Sequence, residues 1–111
     1  MSIKYFNSTP IDSLVWSANR TSSTIAVGHM AKVGSQISWD SLTGVLTGTV
    51  SFQASNDNSI WTDLITPVLI NSATGSDAVV IEDMLFMFFR VVCTKNGVTG
   101  GTIKVTSAFK E

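Results

Sequence analysis

The sequence predicts an all-β protein, a single-domain antiparallel β-sandwich of roughly eight strands. Three observations support this fold class. Apolar and polar residues alternate with a period of two in several segments, as they do in half-buried strands. Turn-forming clusters separate these segments at a spacing of about 8–12 residues, which is typical of sandwiches. No segment shows the three-to-four-residue apolar period of an amphipathic helix.

The first part of the 111-residue chain carries the weaker strand signals. The turn-forming run Asn-Ser-Thr-Pro at 7–10 predicts that residues 1–10 form an N-terminal arm. Residues 11–111 then form the sandwich domain. Short alternating stretches predict strands at Ile3–Phe6, Ser13–Trp16, Thr24–Val27 and Ser35–Trp39.

The clearest strand in the middle of the chain is Gly48–Ala54, whose apolar residues share one face: Val50, Phe52 and Ala54. The polar run Ser-Asn-Asp-Asn-Ser at 55–59 ends this strand. Asp57 suits a turn in which the side-chain carboxylate accepts backbone hydrogen bonds, and the run lacks the density of carboxylates that a calcium loop needs. Further strands are predicted at Trp61–Leu64, Val68–Ile70 and Ala78–Ile81.

The strongest apolar run, Met84–Val92, predicts a strand whose two faces are both partly covered. Its first six residues are all large and apolar, whereas a strand in a two-layer sandwich buries only alternate side chains. With Phe89 and Val91, and also Met87, directed inward, Phe86 and Phe88 are left without cover. We therefore predict an assembly interface at Met84, Phe86 and Phe88. The alternative is that the N-terminal arm covers this segment.

The end of the chain predicts a hairpin and a closing strand. The sequence Lys-Asn-Gly at 95–97, with Gly100 and Gly101 after it, favours a hairpin over Lys95–Gly101, because Asn-Gly readily adopts positive φ. The closing strand, Thr102–Lys110, alternates again. The predicted core comprises Phe52, Trp61, Val91, Val105 and Phe109.

Composition and charge restrict the choice of partner. Charged residues make up 14% of the chain, against about 25% in an average domain, and such depletion is typical of interface cores. The net charge is −1 and the seven basic residues are scattered, so we expect no nucleic-acid binding. We expect no membrane span and no signal peptide. Cys93 is expected to be a buried small hydrophobe, which fits synthesis in a reducing cytoplasm.

Catalytic groups are scarce in this sequence. There is one histidine, His29, and nothing resembles the Gly-x-Ser-x-Gly elbow that would supply it with a nucleophile. One histidine and one cysteine do not make a zinc site. We therefore expect no enzymatic activity, no metal and no cofactor. We interpret Trp39, which alternates with Ile37, and Trp61 as core or core-edge anchors, and leave either face open for Trp16.

The stretch from Val50 to Asp63, Val-Ser-Phe-Gln-Ala-Ser-Asn-Asp-Asn-Ser-Ile-Trp-Thr-Asp, resembles a signature of discoidin-type (galactose-binding-like) β-sandwiches. The run Phe89–Val92 is similar to a later strand of the same fold, and Gly100–Val105 to its closing strand. The short form of this chain most resembles small virion structural proteins of tailed bacteriophages. Three features depart from the discoidin pattern: the shorter length, the lack of a cysteine pair, and Asn58 where glycine is usual. The resemblance thus implies a jelly-roll or discoidin-like sandwich.

Two functional hypotheses follow. The first is a non-enzymatic virion structural protein, a capsid decoration or head–tail component, which assembles with itself and with other particle proteins. A trimer is the first guess by analogy with decoration proteins. The alternative is a carbohydrate-binding module of a phage fibre or surface-attachment protein, with a ligand loop at Asn56, Asp57 and Trp61. The two differ in which surface must be exposed.

Overall fold

The computed structural model describes residues 5–28 and 30–111, and it confirms the all-β sandwich. Ten strands occur in this part of the chain, and its residues form no helix long and apolar enough to cross a membrane. The strands are β1 (Tyr5–Val15), β2 (Arg20–Thr21), β3 (Ile25–Ala26), β4 (Lys32–Gly44), β5 (Gly48–Ser55), β6 (Thr62–Asp63), β7 (Val68–Ile70), β8 (Gly75–Ile81), β9 (Phe88–Thr94) and β10 (Val98–Lys110).

The strands form two antiparallel sheets. Sheet A has the order β1-β10-β4-β8, and sheet B has the order β2-β9-β5-β6. The short strand β3 pairs with β9, and β7 pairs with β5. The longest ladder joins β10 to β4, which are 13 residues each. Sheet A is therefore built around two long central strands, and sheet B around β5 and β9.

The core lies between the two sheets and is filled by alternate residues of each strand. In β9 every second residue is fully buried, and β10 repeats the pattern from Ile103 to Phe109. The aromatic rings of Phe52, Phe89 and Phe109 pack together, with centroid separations of 6.2 Å and 5.2 Å. The predicted core residues Phe52, Val91, Val105 and Phe109 are confirmed.

Two tryptophans, Trp16 and Trp39, are buried at the edges of this core. Trp16 is fully buried and lies directly on Gly48, where a side chain would overlap its ring. Trp39 is buried as predicted, and its indole Nε1 donates to the backbone oxygen of Ser72 at 3.1 Å. Trp61, predicted for the core, lies outside it and is half-buried. The prediction failed because the turn at 56–60 places Trp61 on the outer face of sheet B, against Arg90.

Three predicted elements need correction. Residues 5–10 are not an arm but the first half of β1, which pairs with β10 from Tyr5↔Lys110 onward; residues 1–4 lie outside the described part. The strand predicted over Met84–Val92 begins only at Phe88. Lys95–Gly101 is not a hairpin, because β9 pairs in sheet B and β10 in sheet A. Asn96 does take positive φ, 49°, and the tight turn it makes carries the chain between the sheets.

Candidate functional site

Three connections meet at one end of the sandwich: residues 22–28 with 30–31, residues 56–61, and residues 82–87. The backbone N–H of Val27 donates to the oxygen of Met87, and that of Met84 donates to the oxygen of Ala31, both at 2.8 Å. The N–H of Met87 donates to the side-chain oxygen of Asn56 at 3.3 Å. Segment 82–87 is thus anchored at its two ends although it is not a strand.

The anchored segment displays two large apolar side chains. Leu85 is 81% exposed and Met87 is 50% exposed, while Glu82 and Asp83, just before them, are also exposed. Both apolar side chains border a groove of about 260 Å³ whose lining also includes Gly28, Met30 and Asn56. We call the surface formed by Leu85, Met87 and this groove the apolar end. Its features are those of an interface: an apolar centre next to charged residues.

The predicted assembly residues lie in this region, but they are not its exposed part. Met84 is fully buried, which corrects its assignment to a contact surface. Phe86 is half-buried and packs against the core, and Phe88 is half-buried on the outer side of β9. The exposed residues are Leu85 and Met87, because burial alternates in this segment with the opposite phase to β9, and the phase changes where β9 begins at Phe88. Met87, predicted to face inward, faces outward.

The predicted ligand loop is engaged within the chain. One oxygen of Asp57, Oδ1, accepts from the hydroxyl of Ser55 and from the backbone N–H groups of Ser59 and Ile60, at 2.8–2.9 Å. The backbone hydrogen bonds from Ile60 and Ser59, followed by the Ser55 hydroxyl, hold the pKa of the Asp57 carboxyl below its ordinary value of 3.8. Asn58 has φ of 58°. Asp57 is therefore a turn residue, as predicted, and its side chain organises the loop.

Trp61 belongs to a different cluster on the outer face of sheet B. The guanidinium carbon of Arg90 lies 4.2 Å from the centre of the Trp61 ring. Arg90 Nε donates to Oε1 of Gln53 at 2.9 Å, and Nε2 of Gln53 donates to Oδ1 of Asp63 at 3.1 Å. These four residues come from β5, β6, β9 and the turn before β6. Sequence reasoning identified Trp61 but missed the other three. They lie side by side because β5 pairs with both β6 and β9, and the sequence alone does not reveal that pairing.

The remaining surfaces offer little for acid–base or metal chemistry. A groove of about 600 Å³ crosses the outer face of sheet A, and none of its lining side chains is charged. Within residues 5–28 and 30–111, no three His, Cys, Asp or Glu residues come together as a metal site requires. His29 lies outside the described residues. Burial raises the pKa of the Cys93 thiol to about 12, which agrees with the predicted buried, unreactive side chain.

Solved structures with the same fold include viral proteins and a sugar-binding module. The SPBc2 prophage-derived protein YomS matches 100% of this chain and 96% of its own, with a TM-score of 0.71 and 15% identity. VP2 of infectious bursal disease virus, from its subviral particle, matches 97% of this chain with a TM-score of 0.63 and 10% identity; this chain spans 32% of it.

A third similar structure is the chitosan-binding module 1 of a chitosanase/glucanase from Paenibacillus sp. IK-5. It matches 93% of this chain and 74% of its own, with a TM-score of 0.53 and 13% identity. No known protein family and no curated protein matches the sequence. At these identities, the solved structures show a shared β-sandwich fold.

Proposed function

We propose that this chain is a non-enzymatic structural protein of a phage particle, which assembles through the apolar end with copies of itself and with other particle proteins. It would be made in the host cytoplasm and function in the virion, as a capsid decoration or head–tail component. The observation that carries the proposal is the exposure of Leu85 and Met87 on a segment anchored at both ends. We also infer that the chain is a distant discoidin-type sandwich.

The hydrogen bonds of this segment matter because a binding surface on an ordered backbone loses less entropy on association than a flexible loop does. Backbone hydrogen bonds with Ala31 and Val27 hold the segment, so its backbone is already ordered before a partner arrives. Binding then costs little additional backbone entropy. Burying one leucine side chain is worth about 1.5–3 kcal/mol, so a few such contacts per subunit decide whether an oligomer forms. A second copy supplies the same apolar surface by symmetry.

The similar structures support the particle assignment. YomS is prophage-derived and matches almost end to end, and VP2 comes from a subviral particle. We keep the trimer as the first oligomer to test.

The test is the mass in solution of Leu85→Ser and Met87→Ser, singly and together. We expect the wild-type chain to be oligomeric at high micromolar concentration by light scattering after gel filtration. Each substitution should weaken association by about tenfold or more, because losing roughly 1.4 kcal/mol changes a binding constant tenfold. The melting temperature should stay near that of the wild type, since both side chains are exposed.

Val45→Ser is the matched control. Val45 is 66% exposed, and its backbone N–H donates to the oxygen of Gly97 in the turn that follows β9. The apolar end precedes β9, so this substitution should leave the oligomer unchanged. Phe86 and Phe88 are less suitable because both are half-buried, and their loss would affect folding as well. A wild-type chain that remains a monomer at high micromolar concentration would contradict self-assembly.

A further inference from the structure

The outer face of sheet B carries an arrangement of charges that packing alone does not require. Arg90 and Asp63 are joined through the amide of Gln53, which accepts from one and donates to the other, in place of a direct ion pair. The ring of Trp61 lies against the guanidinium. We call Trp61, Arg90, Gln53 and Asp63 the Trp61 patch.

The hydrogen bonds of the patch leave its strongest groups available. The bond to Gln53 uses only Nε of Arg90, so within the described part of the chain both terminal nitrogens of the guanidinium lack a protein partner. Asp63 is exposed and uses one oxygen, Oδ1, toward Gln53. A guanidinium fork with free donors and an exposed carboxylate acceptor therefore lie on the two strands, β9 and β6, that flank β5. Gln53 lies between Arg90 and Asp63 and bonds to both, in place of a direct ion pair.

The chemistry of these groups indicates the class of ligand. One positive and one negative side chain give the patch no net charge, so it does not favour an anion over a neutral molecule. A sugar carries several hydroxyl groups, and each both donates and accepts a hydrogen bond. Such groups match a guanidinium donor and a carboxylate acceptor together. The half-buried indole supplies an apolar surface with a polar edge beside them.

We propose that the Trp61 patch binds a neutral saccharide, whose hydroxyl groups bridge Arg90 and Asp63. The site is distinct from the predicted loop of Asn56 and Asp57, because it lies on the sheet face formed by β5, β6 and β9. None of its four residues belongs to the apolar end, so the proposal does not depend on the proposed assembly. In the virion setting, such a site would hold the particle against a glycan surface.

The test is a titration of the full ¹⁵N-labelled chain with D-glucose, D-galactose and N-acetyl-D-glucosamine, and with D-glucuronate as the charged comparison. The reporters are the indole N–H of Trp61, the Nε–H of Arg90 and the side-chain amide of Gln53. We expect at least one neutral sugar to shift these three signals in a saturable way. Arg90→Lys should weaken that binding by roughly tenfold, because an ammonium lacks the planar fork.

Arg20→Lys is the matched control, since Arg20 also lies on sheet B and also uses Nε, to the oxygen of Val15 at 3.1 Å. It should leave binding unchanged. If Arg90→Lys does not fold, Asp63→Asn decides, because Asp63 is exposed and asparagine keeps an oxygen for Gln53. The proposal is overturned if no neutral sugar shifts the reporters, if only glucuronate does, or if the folded variants bind as the wild type does.

Discussion

At the scale of single residues, Gly34 and Gly48 differ in the space around them: Gly34 on β4 is open, and Gly48 on β5 is crowded. Nothing lies within 4 Å of where a side-chain carbon on Gly34 would sit, whereas a methyl group on Gly48 would overlap the ring of Trp16. The Trp16 indole N–H has no hydrogen-bond partner among the described residues. The ring is therefore held in place by packing on Gly48 instead of by a polar contact.

Gly34→Ala and Gly48→Ala should consequently change stability in opposite directions. The first should raise the free energy of unfolding by up to about 1 kcal/mol, because alanine restricts the unfolded chain at no steric cost. The second should lower it by about 1–3 kcal/mol through overpacking. Urea unfolding of both variants measures the difference. Equal effects would show that Trp16 moves aside freely.

Asp57 predicts a dependence of stability on pH. Its folded-state pKa lies below the ordinary value of 3.8, so the unfolded chain binds a proton more readily than the folded one does. Its contribution is then fully present above about pH 5 and is lost as the pH falls below 3.8 toward the folded-state pKa.

Asp57→Asn tests this, because asparagine keeps the acceptor oxygen and removes the charge. The wild type should be the more stable protein at neutral pH, and its advantage should shrink as the pH falls below 3.8. Unfolding titrations at several pH values supply the comparison. A stability difference that stays constant with pH would mean that the carboxylate charge adds nothing to the turn.

The sequence predicted single residues well where burial follows alternation and poorly where contacts come from distant strands. Phe52, Val105 and Phe109 follow the period of their own strands, and they are core residues. Trp61 has a partner, Arg90, that lies on a different strand, and nothing local indicates it. Leu85 was missed for a related reason: its exposure depends on where β9 begins.

At the scale of elements, β8 is an edge strand of sheet A that an unwanted partner could extend. Asp77, near the middle of β8, disfavours such edge-to-edge pairing. It pairs with Ile37, whose side chain faces the core, so a charge stands on the inner side of the edge. Its Oδ1 also accepts a hydrogen bond from the backbone N–H of Ala78 at 2.8 Å, so that N–H is less available to an incoming strand.

Asp77→Val should therefore make the folded protein aggregate. The change leaves a run of small and β-branched residues along an open edge, where backbone pairing between molecules is favoured. Light scattering over time at 37 °C measures the effect, and Asp77→Lys, which restores a charge, should remain soluble. Equal solubility of the valine and lysine variants would show that the edge is protected by something other than charge.

The existence of most elements was predictable, and their partners were not. Alternation indicates a strand and its buried face, which is why β5 and β10 were anticipated within a few residues. It does not indicate which sheet the strand joins. The turn at Asn96 and Gly97 has the residues of a hairpin, yet it carries the chain from sheet B to sheet A. The two-residue strand β2 gave no signal, because it is defined only by pairing with β9.

At the scale of the whole molecule, the sandwich measures 48 × 27 × 20 Å. A 13-residue strand extends about 43 Å, so β4 and β10 account for the long axis. The apolar end and the Trp61 patch use different parts of this body: connections at one end for the first, and the outer face of sheet B for the second. The scaffold thus presents two surfaces that share no residue, although Arg90 follows Met87 by only three positions.

The position of β10 in sheet A sets the order of events during synthesis. β10 lies between β1 and β4 in sheet A. It pairs with β1 along its length, from Lys110 opposite Tyr5 to Thr102 opposite Val15. While the ribosome is still making β9, the strand β1 has emerged but has no neighbour to bond with. Completion of sheet A must therefore wait for release of β10 and proceed on the millisecond-to-second scale of strand pairings that are distant in sequence. Until then β1 has unpaired strand edges, the kind of surface through which a folding chain aggregates.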